Sequence, residues 1–355
     1  MQQIHMRNEE ITVNKKDVLL EVKGLKTHFF MDEGVVKAVD GVDFTLKAGS
    51  ILGIVGESGC GKSVTAFSIL KLVVKPGRIV GGEILFNTSV NGNKPSFVDL
   101  NSFPSGSREI RSIRGNKIAM IFQEPMNSLS PVHQIGNQIT EIILQHQNVT
   151  KAVAQERSIE LLHMVGLPRP EQQVEAYTFQ LSGGMRQRAM IAMALACKPM
   201  LLIADEPTTA LDVTTQAQIL ELMRELQSDL GSAIMLITHD LGVVAEMCDE
   251  VVVMYLGEVV EQAEVDSLFH DPLHPYTRAL LRSIPRLGKG RKQELNPIKG
   301  TVPDPFRRPT GCPYHTRCAE MIPGKCDLIQ PKLTKMPNGR TVRCLLYEEG
   351  ATNNG

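Results

Sequence analysis

The chain has 355 residues, enough for one large domain with a smaller companion or for two domains. Apolar residues make up 42% and charged residues 22%, and the formal net charge of -1 leaves no overall basic field to hold a nucleic acid. Trp is absent and aromatics reach only 5%, so stacking platforms for single strands are scarce.

Residues 1–17 read as a flexible N-terminal tail, and their opening, MQQIHMRNEE, lacks the apolar core of a signal peptide. From Val18 the pattern becomes strand-like in VLLEVKGL and VKAVDGVDFTL. An apolar run, Ile51 to Val55, leads into the Gly-rich stretch Gly56–Gly61 and then a helical segment, KSVTAFSILKLV. Residues 87–116, rich in Asn, Gly, Ser and Pro, read as a surface excursion. IAMIFQ is a buried strand candidate, and residues 136–196 carry helical patterns without a convincing strand. MLLIAD and AIMLITHD are strongly apolar strands with a helix between them, and VVVMYLGEVVEQA reads as a hairpin turning near Gly257. The most apolar stretch, Ala189 to Ala204, is interrupted by Lys198 and Pro199, whereas a membrane-spanning helix needs about 20 predominantly apolar residues. The chain is therefore expected to stay in the cytosol and to serve a membrane only by docking onto other subunits. After about Asp271 prolines punctuate the sequence, and an extension with little regular structure is expected over 271–355.

Three motifs carry chemistry. GESGCGKS, comprising Gly56, Glu57, Ser58, Gly59, Cys60, Gly61, Lys62 and Ser63, fits G-x-x-x-x-G-K-[ST]. Its glycines let backbone N–H groups face phosphates, the following helix adds its positive end, Lys62 reaches the phosphates and Ser63 binds Mg²⁺. LLIADEP ends a buried strand in two carboxylates: Asp205 to hold Mg²⁺ through water, and Glu206 to polarise the attacking water. In LSGGMRQR, Ser182 can cap a helix, and Gly183 and Gly184 allow close approach to an anion.

These motifs in this order resemble the ABC ATPases over roughly residues 18–265. The resemblance implies an α/β fold: a RecA-like P-loop core with an α-helical subdomain (about 136–196), an antiparallel β subdomain and the Pro-rich, Cys-containing extension, the nucleotide-binding domain spanning 18–270. It implies that Gln123 in IFQEP touches Mg²⁺ and senses the membrane subunit, that Ala210-Leu211-Asp212 form the D-loop, and that His239 in ITHD contacts the γ-phosphate. Glu206, His239, Lys62 and Gln123 are then the catalytic set, with Val64 completing the nucleotide contacts. Phe29 is placed to stack on adenine, with Phe30 as fallback. The implied assembly is a sandwich dimer, in which ATP at Lys62 of one subunit is covered by the Ser182–Gly184 loop of a second homologous ATPase or a second copy.

GESGCGKS with Glu57, IFQEPMNSLSPVHQIGNQITE and HPYTRALLRSIP followed by GCPYHTRC further resemble the oligopeptide and dipeptide permease ATPases, a branch that also holds nickel importers. This implies ATP hydrolysis coupled to import, two transmembrane permease subunits, an extracytoplasmic solute-binding protein and a peripheral place on the cytoplasmic face of the inner membrane. No nucleic acid is expected as a partner. Cys60 stands where the branch usually has Ser; a thiol among positive dipoles near Lys62 is expected to have a lowered pKa, although a passive Ser substitute is the simpler role.

The chain has seven cysteines, and disulfides are unexpected in a reducing compartment. Cys312, Cys318, Cys326 and Cys344 sit together, separated by five, seven and seventeen residues and without a C-x-x-C pair. That spacing suits a zinc ribbon poorly and a four-thiolate 4Fe–4S cluster better; the permease branch carries cysteines in this region that bind such a cluster. Zinc, with His315 nearby, is the second choice, and four unligated thiols remain open. A metal crosslink would order a tail too poor in apolar residues to order itself.

Overall fold

The computed structural model describes residues 18–89, 95–123, 128–209, 211–283, 298–336 and 339–348. The tail expected over 1–17 and Ala210 of the expected D-loop lie outside them.

Two strands open the described chain, β1 (Val18–Met31) and β2 (Gly34–Lys47), paired antiparallel. With β4 (Gly77–Asn87) and β5 (Phe97–Asp99) they form a four-stranded antiparallel sheet ordered β2-β1-β4-β5. The second sheet is different in kind. Its strands β3 (Ile51–Val55), β6 (Ile118–Ile121), β7 (Leu201–Asp205) and β8 (Ala233–Ile237) are buried at every residue and run parallel. Strands covered on both faces appear in sequence as unbroken apolar runs, which is why these were legible. β9 (Glu250–Tyr255) lies parallel to β3, and β10 (Glu258–Glu264) turns back antiparallel. The turn between them places Leu256 at φ 43° and Gly257 at φ 79°, the two positive values that a two-residue hairpin turn requires.

Helices cover the sheets. α1 (Lys62–Ile69) follows β3, and it is shorter than the segment expected because Lys71 takes φ 54°. The stretch read as a surface excursion holds β5 and α2 (Arg108–Ile113) and buries Leu100, Ile110 and Ile113. Asn, Gly and Ser in that stretch masked the sparse apolar positions that anchor it. Residues 135–195 contribute α3 (Ile135–His146), α4 (Lys151–Met164), α5 (Pro170–Gln173) and α6 (Gly183–Leu195). α7 (Val213–Leu230) and α8 (Leu241–Met247) flank β8, each started by an aspartate, Asp212 and Asp240, whose side chain accepts from the first turn's N–H groups. α9 (Val265–His270) and α10 (Pro275–Arg282) follow β10, with Leu268 and Tyr276 buried in the core.

Beyond α10 regular structure is scant, but the region is packed. β11 (Thr334–Lys335) and β12 (Thr341–Val342) extend the second sheet, which is ordered β11-β12-β10-β9-β3-β8-β7-β6. Cys312, Tyr314, Cys326 and Leu345 are buried in the same apolar cluster as Ile51, Tyr255 and Tyr276. This corrects the expectation that the extension lacks the apolar surface to order itself: it shares the core of the nucleotide domain.

Candidate nucleotide site

The site is built first from backbone. Gly56, Gly59 and Gly61 have φ of 152°, 78° and 101°. A Cβ on Gly56 would lie 2.2 Å from the Met254 carbonyl oxygen, and one on Gly61 2.2 Å from that of Ala38. Those two positions admit glycine alone, because the loop is threaded between β2 and β9. The Gly257 N–H donates to the Cys60 carbonyl at 2.9 Å, so the β9–β10 turn fixes the loop from beneath.

Lys62 is buried, and its ammonium donates to the Gly56 and Glu57 carbonyls at 2.8 and 3.2 Å. The Ser63 hydroxyl donates to Asp205 at 3.0 Å. Burial, aided by the neighbouring Glu206 charge, pushes the Asp205 carboxyl up to about 6, against the opposing effects of Ser63 and Lys62. A hydroxyl and a desolvated carboxylate side by side form a donor set fit for a hard cation such as Mg²⁺, whose charge would offset that burial cost.

Glu206 follows β7 with φ 47°, a conformation rare for a residue with a side chain. Its N–H donates to the Ile237 carbonyl at 2.9 Å, which holds the turn. One carboxylate oxygen accepts from Gln123 at 3.1 Å and from Thr209 at 2.9 Å; the other lies 3.4 Å from His239 Nδ1. Three residues predicted from separate stretches, Gln123, Glu206 and His239, thus meet at one carboxylate. Thr209 was missed: a threonine three residues past a carboxylate carries no signal of its own in the sequence.

Other expected residues stand apart within the chain. Ser182 caps α6, accepting from the Met185 N–H at 3.3 Å, and with Gly183 it is exposed. Leu211 lies just before α7 and Asp212 caps it, accepting from Thr215. Phe29 is half-buried with its ring against Gly77, where a Cβ would meet it at 2.6 Å. Phe30 is 39% exposed and carries the Arg78 guanidinium 4.0 Å from its ring centre.

One expectation is corrected. The Cys60 thiol is buried, and burial raises its pKa despite the opposing Lys62 charge; the ammonium is 3.9 Å away and turned toward carbonyls. In the extension, burial pushes Cys312 up to about 12 and Cys344 to about 11, and the neighbouring thiols add to both. The Cys312 N–H donates to the Cys326 carbonyl at 2.8 Å, yet among the described residues no three His, Cys, Asp or Glu side chains converge to hold a metal ion. His315 turns its Nδ1 to the Cys312 carbonyl at 2.9 Å.

A glycine-threaded loop between a buried strand and a helix, with paired carboxylates at the end of a parallel strand two places along the sheet, defines a P-loop ATPase. The profile of the ABC transporter family matches residues 39–209, and that of the oligopeptide/dipeptide transporter C-terminal region matches residues 260–326. The chain is 53% identical over 332 residues to the oligopeptide transport ATP-binding protein AppD of Bacillus subtilis (strain 168), covering 93% of this chain and 97% of that one. It is 45% identical to the dipeptide transport ATP-binding protein DppD of Escherichia coli (strain K12), covering 92% and 96%. Among solved structures, the dimeric bacterial ABC transporter cassette MJ0796 matches with a TM-score of 0.60 and 27% identity, covering 70% of this chain and 99% of that one. The chain belongs to the ABC transporter ATP-binding proteins, in the branch defined by the oligopeptide/dipeptide C-terminal region, and it hydrolyses ATP. Among the described residues no helix is long and apolar enough to cross a membrane.

Proposed function

We propose that this chain powers the import of oligopeptides or dipeptides. The observation that carries this is the joining of an ABC ATP site to an extension of the oligopeptide/dipeptide type in one packed core. The relatives named for oligopeptide and dipeptide transport span both parts. Its partners are two transmembrane permeases, an extracytoplasmic solute-binding protein and a second ATPase, homologous or identical. Its place is peripheral, on the cytoplasmic face of the inner membrane. Reconstituting the complex in liposomes with its binding protein tests this: ATP should drive peptide uptake, and Lys62→Ala should abolish it. Uptake of nickel or another small solute instead of peptide would assign the chain to a different cargo of the same branch.

In the ATP site, Gly56 to Val64 would cradle the phosphates, Lys62 would leave its two carbonyls for the γ-phosphate, and Ser63, Asp205 and Gln123 would hold Mg²⁺. When bound, that ion neutralises charge developing on the phosphates. Glu206 takes the proton of the attacking water, and His239 and Gln123 hold its carboxylate in place. Exposure of Ser182 and Gly183 suits their covering a nucleotide bound to the facing subunit. A solved neighbour is a dimeric cassette bound to ADP and Pi. Of the two phenylalanines Phe30 offers the more open ring, so adenine stacking moves there from Phe29.

For Cys312, Cys318, Cys326 and Cys344 we keep the 4Fe–4S cluster ahead of zinc. Cys312 and Cys326 are buried in one apolar cluster with Cys318 packed against it, and this grouping supports a shared group. The absence of a C-x-x-C pair among the four cysteines disfavours a zinc ribbon. Anaerobically purified protein should be brown and contain iron and sulfide; colourless protein with stoichiometric zinc refutes the cluster.

A further inference from the structure

The extension reaches into the phosphate loop at one point. Arg317 lies in a short 3-10 turn, His315–Arg317, between Cys312 and Cys318. Its Nη1 donates to Glu57 Oε2 at 2.7 Å and its Nη2 to Glu57 Oε1 at 3.0 Å, a two-pronged pair between residues 260 positions apart. The arginine side chain is 3% exposed and that of the glutamate 25%. Arg317 is itself held. Nε donates to the Lys299 carbonyl at 3.1 Å, Nη1 also reaches the Tyr255 hydroxyl at 3.4 Å, and the guanidinium lies 5.8 Å from the Tyr255 ring centre. The backbone of Glu57 is held from the extension side too: its N–H donates to the Tyr276 hydroxyl at 2.9 Å. Its carbonyl, meanwhile, accepts from Lys62.

Glu57 poses a problem for a loop that must receive a triphosphate. It places a carboxylate one residue past Gly56, where like charge opposes the ligand. A paired, rigid guanidinium removes that opposition and fixes the loop's first turn before the nucleotide arrives. We propose that Arg317 is a positioning residue for the phosphate loop, acting through Glu57, so that the extension sets the chain's affinity for ATP. This rests on the assignment of Gly56–Ser63 as the ATP site.

The test is the Kd for Mg-ATP of the full-length chain, with kcat and KM of the assembled transporter. Arg317→Ala should weaken ATP about tenfold, raising KM while kcat stays within about twofold, as loss of one charge-paired fork implies. Arg317→Lys keeps the charge without the fork, and should weaken ATP about threefold; it carries the test if the alanine variant does not fold. Adding Glu57→Gln to Arg317→Ala should recover most of the affinity, because the neutral amide leaves no unpaired charge beside the phosphates. Arg340→Ala, which breaks an extension ion pair away from the loop, should leave the Kd of the folded fraction unchanged, the fraction folded being measured in parallel. An unchanged Kd in both Arg317 variants overturns the proposal. So does a double variant as weak as Arg317→Ala alone, or an equal loss in folded Arg340→Ala. Should Lys62→Ala bind ATP like the wild type, the site assignment fails instead.

Discussion

The nucleotide site and the C-terminal extension are ordered by opposite means. In the site, glycines and backbone groups shape the loop, and the side chains that matter are few, with Lys62 and Asp205 buried. In the extension, backbone regularity is scant and arginines do the anchoring, Arg317 against Glu57 and Arg308, Arg340 and Arg343 against carboxylates of β10. Glu261 is fully buried and accepts from the Leu273 and His274 N–H groups at 2.9 Å and from Arg340 at 3.1 Å. Glu258 is equally buried; Arg308 and Gln330 bond to it, and Arg343 lies 3.7 Å away. Burial raises the Glu258 pKa even so, with Arg308 and Arg343 opposing the rise. A cassette without the extension would strand two charges inside β10. The extension is thus a structural half of the domain, and no appendage.

The largest expected effect lies in the site. Glu206→Gln keeps the turn and its partners but cannot accept a proton, and turnover should fall about 10²–10⁴-fold while ATP still binds. Single-turnover hydrolysis with bound nucleotide measured in parallel checks this. Wild-type turnover would mean that another group positions the water.

The extension should answer in stability. Arg340→Ala removes the guanidinium that bridges Glu261 and Asp271, leaving Glu261 buried on two N–H donors alone. A loss of about 3–5 kcal/mol in unfolding free energy is expected, as for other broken buried pairs. Denaturant unfolding of the apo chain measures it. A loss under about 1 kcal/mol would return the extension to the status of a loose tail.

This contrast also explains what could be read from sequence. Gly56–Ser63, Asp205, Glu206, Gln123 and His239 announced themselves because each ends or follows an apolar run and the chemistry restricts the residue type. The parallel strands were equally plain. The anchoring of the extension was not, since Arg308, Arg317, Arg340 and Arg343 look like any basic residues in a Pro-rich stretch. Their partners, Glu57, Glu258 and Glu261, are 50 to 260 residues away, and no local period reports such pairings. Glu258 and Glu261 lie on the second strand of the hairpin, and both are buried. The acidity of Cys60 was misjudged for a related reason: the helix dipole is visible in a motif, whereas the burial that outweighs it is tertiary.

A smaller effect separates the two regions by pH. The Asp205 carboxyl, raised to about 6 from 3.8, is charged at a cost above that range. Its contribution to stability is present below about pH 4 and lost as pH rises through about 6. Asp205→Asn should therefore stabilise the apo chain by about 1–3 kcal/mol at pH 8 and by almost nothing at pH 4. It should also abolish the further stabilisation by Mg-ATP. Thermal unfolding at both pH values decides it, and an equal gain at both would remove burial as the cause.

The smallest effect tests which aromatic ring serves the site and which serves the fold. Stacking on a base is worth about 1–3 kcal/mol in single-strand binders, and Phe30, with one face already taken by Arg78, should stand at the low end. Phe30→Ala should weaken ATP about fivefold, and GTP by a similar factor, since every base presents a π-face. Phe29→Ala should instead lower stability, because the ring fills the space over Gly77 that a strand glycine leaves open. Nucleotide titration of the two variants at matched fractions folded distinguishes them. If Phe29→Ala loses affinity while Phe30→Ala does not, the nucleotide must turn the Phe29 ring out of its packing against β4, and the loop between β1 and β2 becomes part of the binding event.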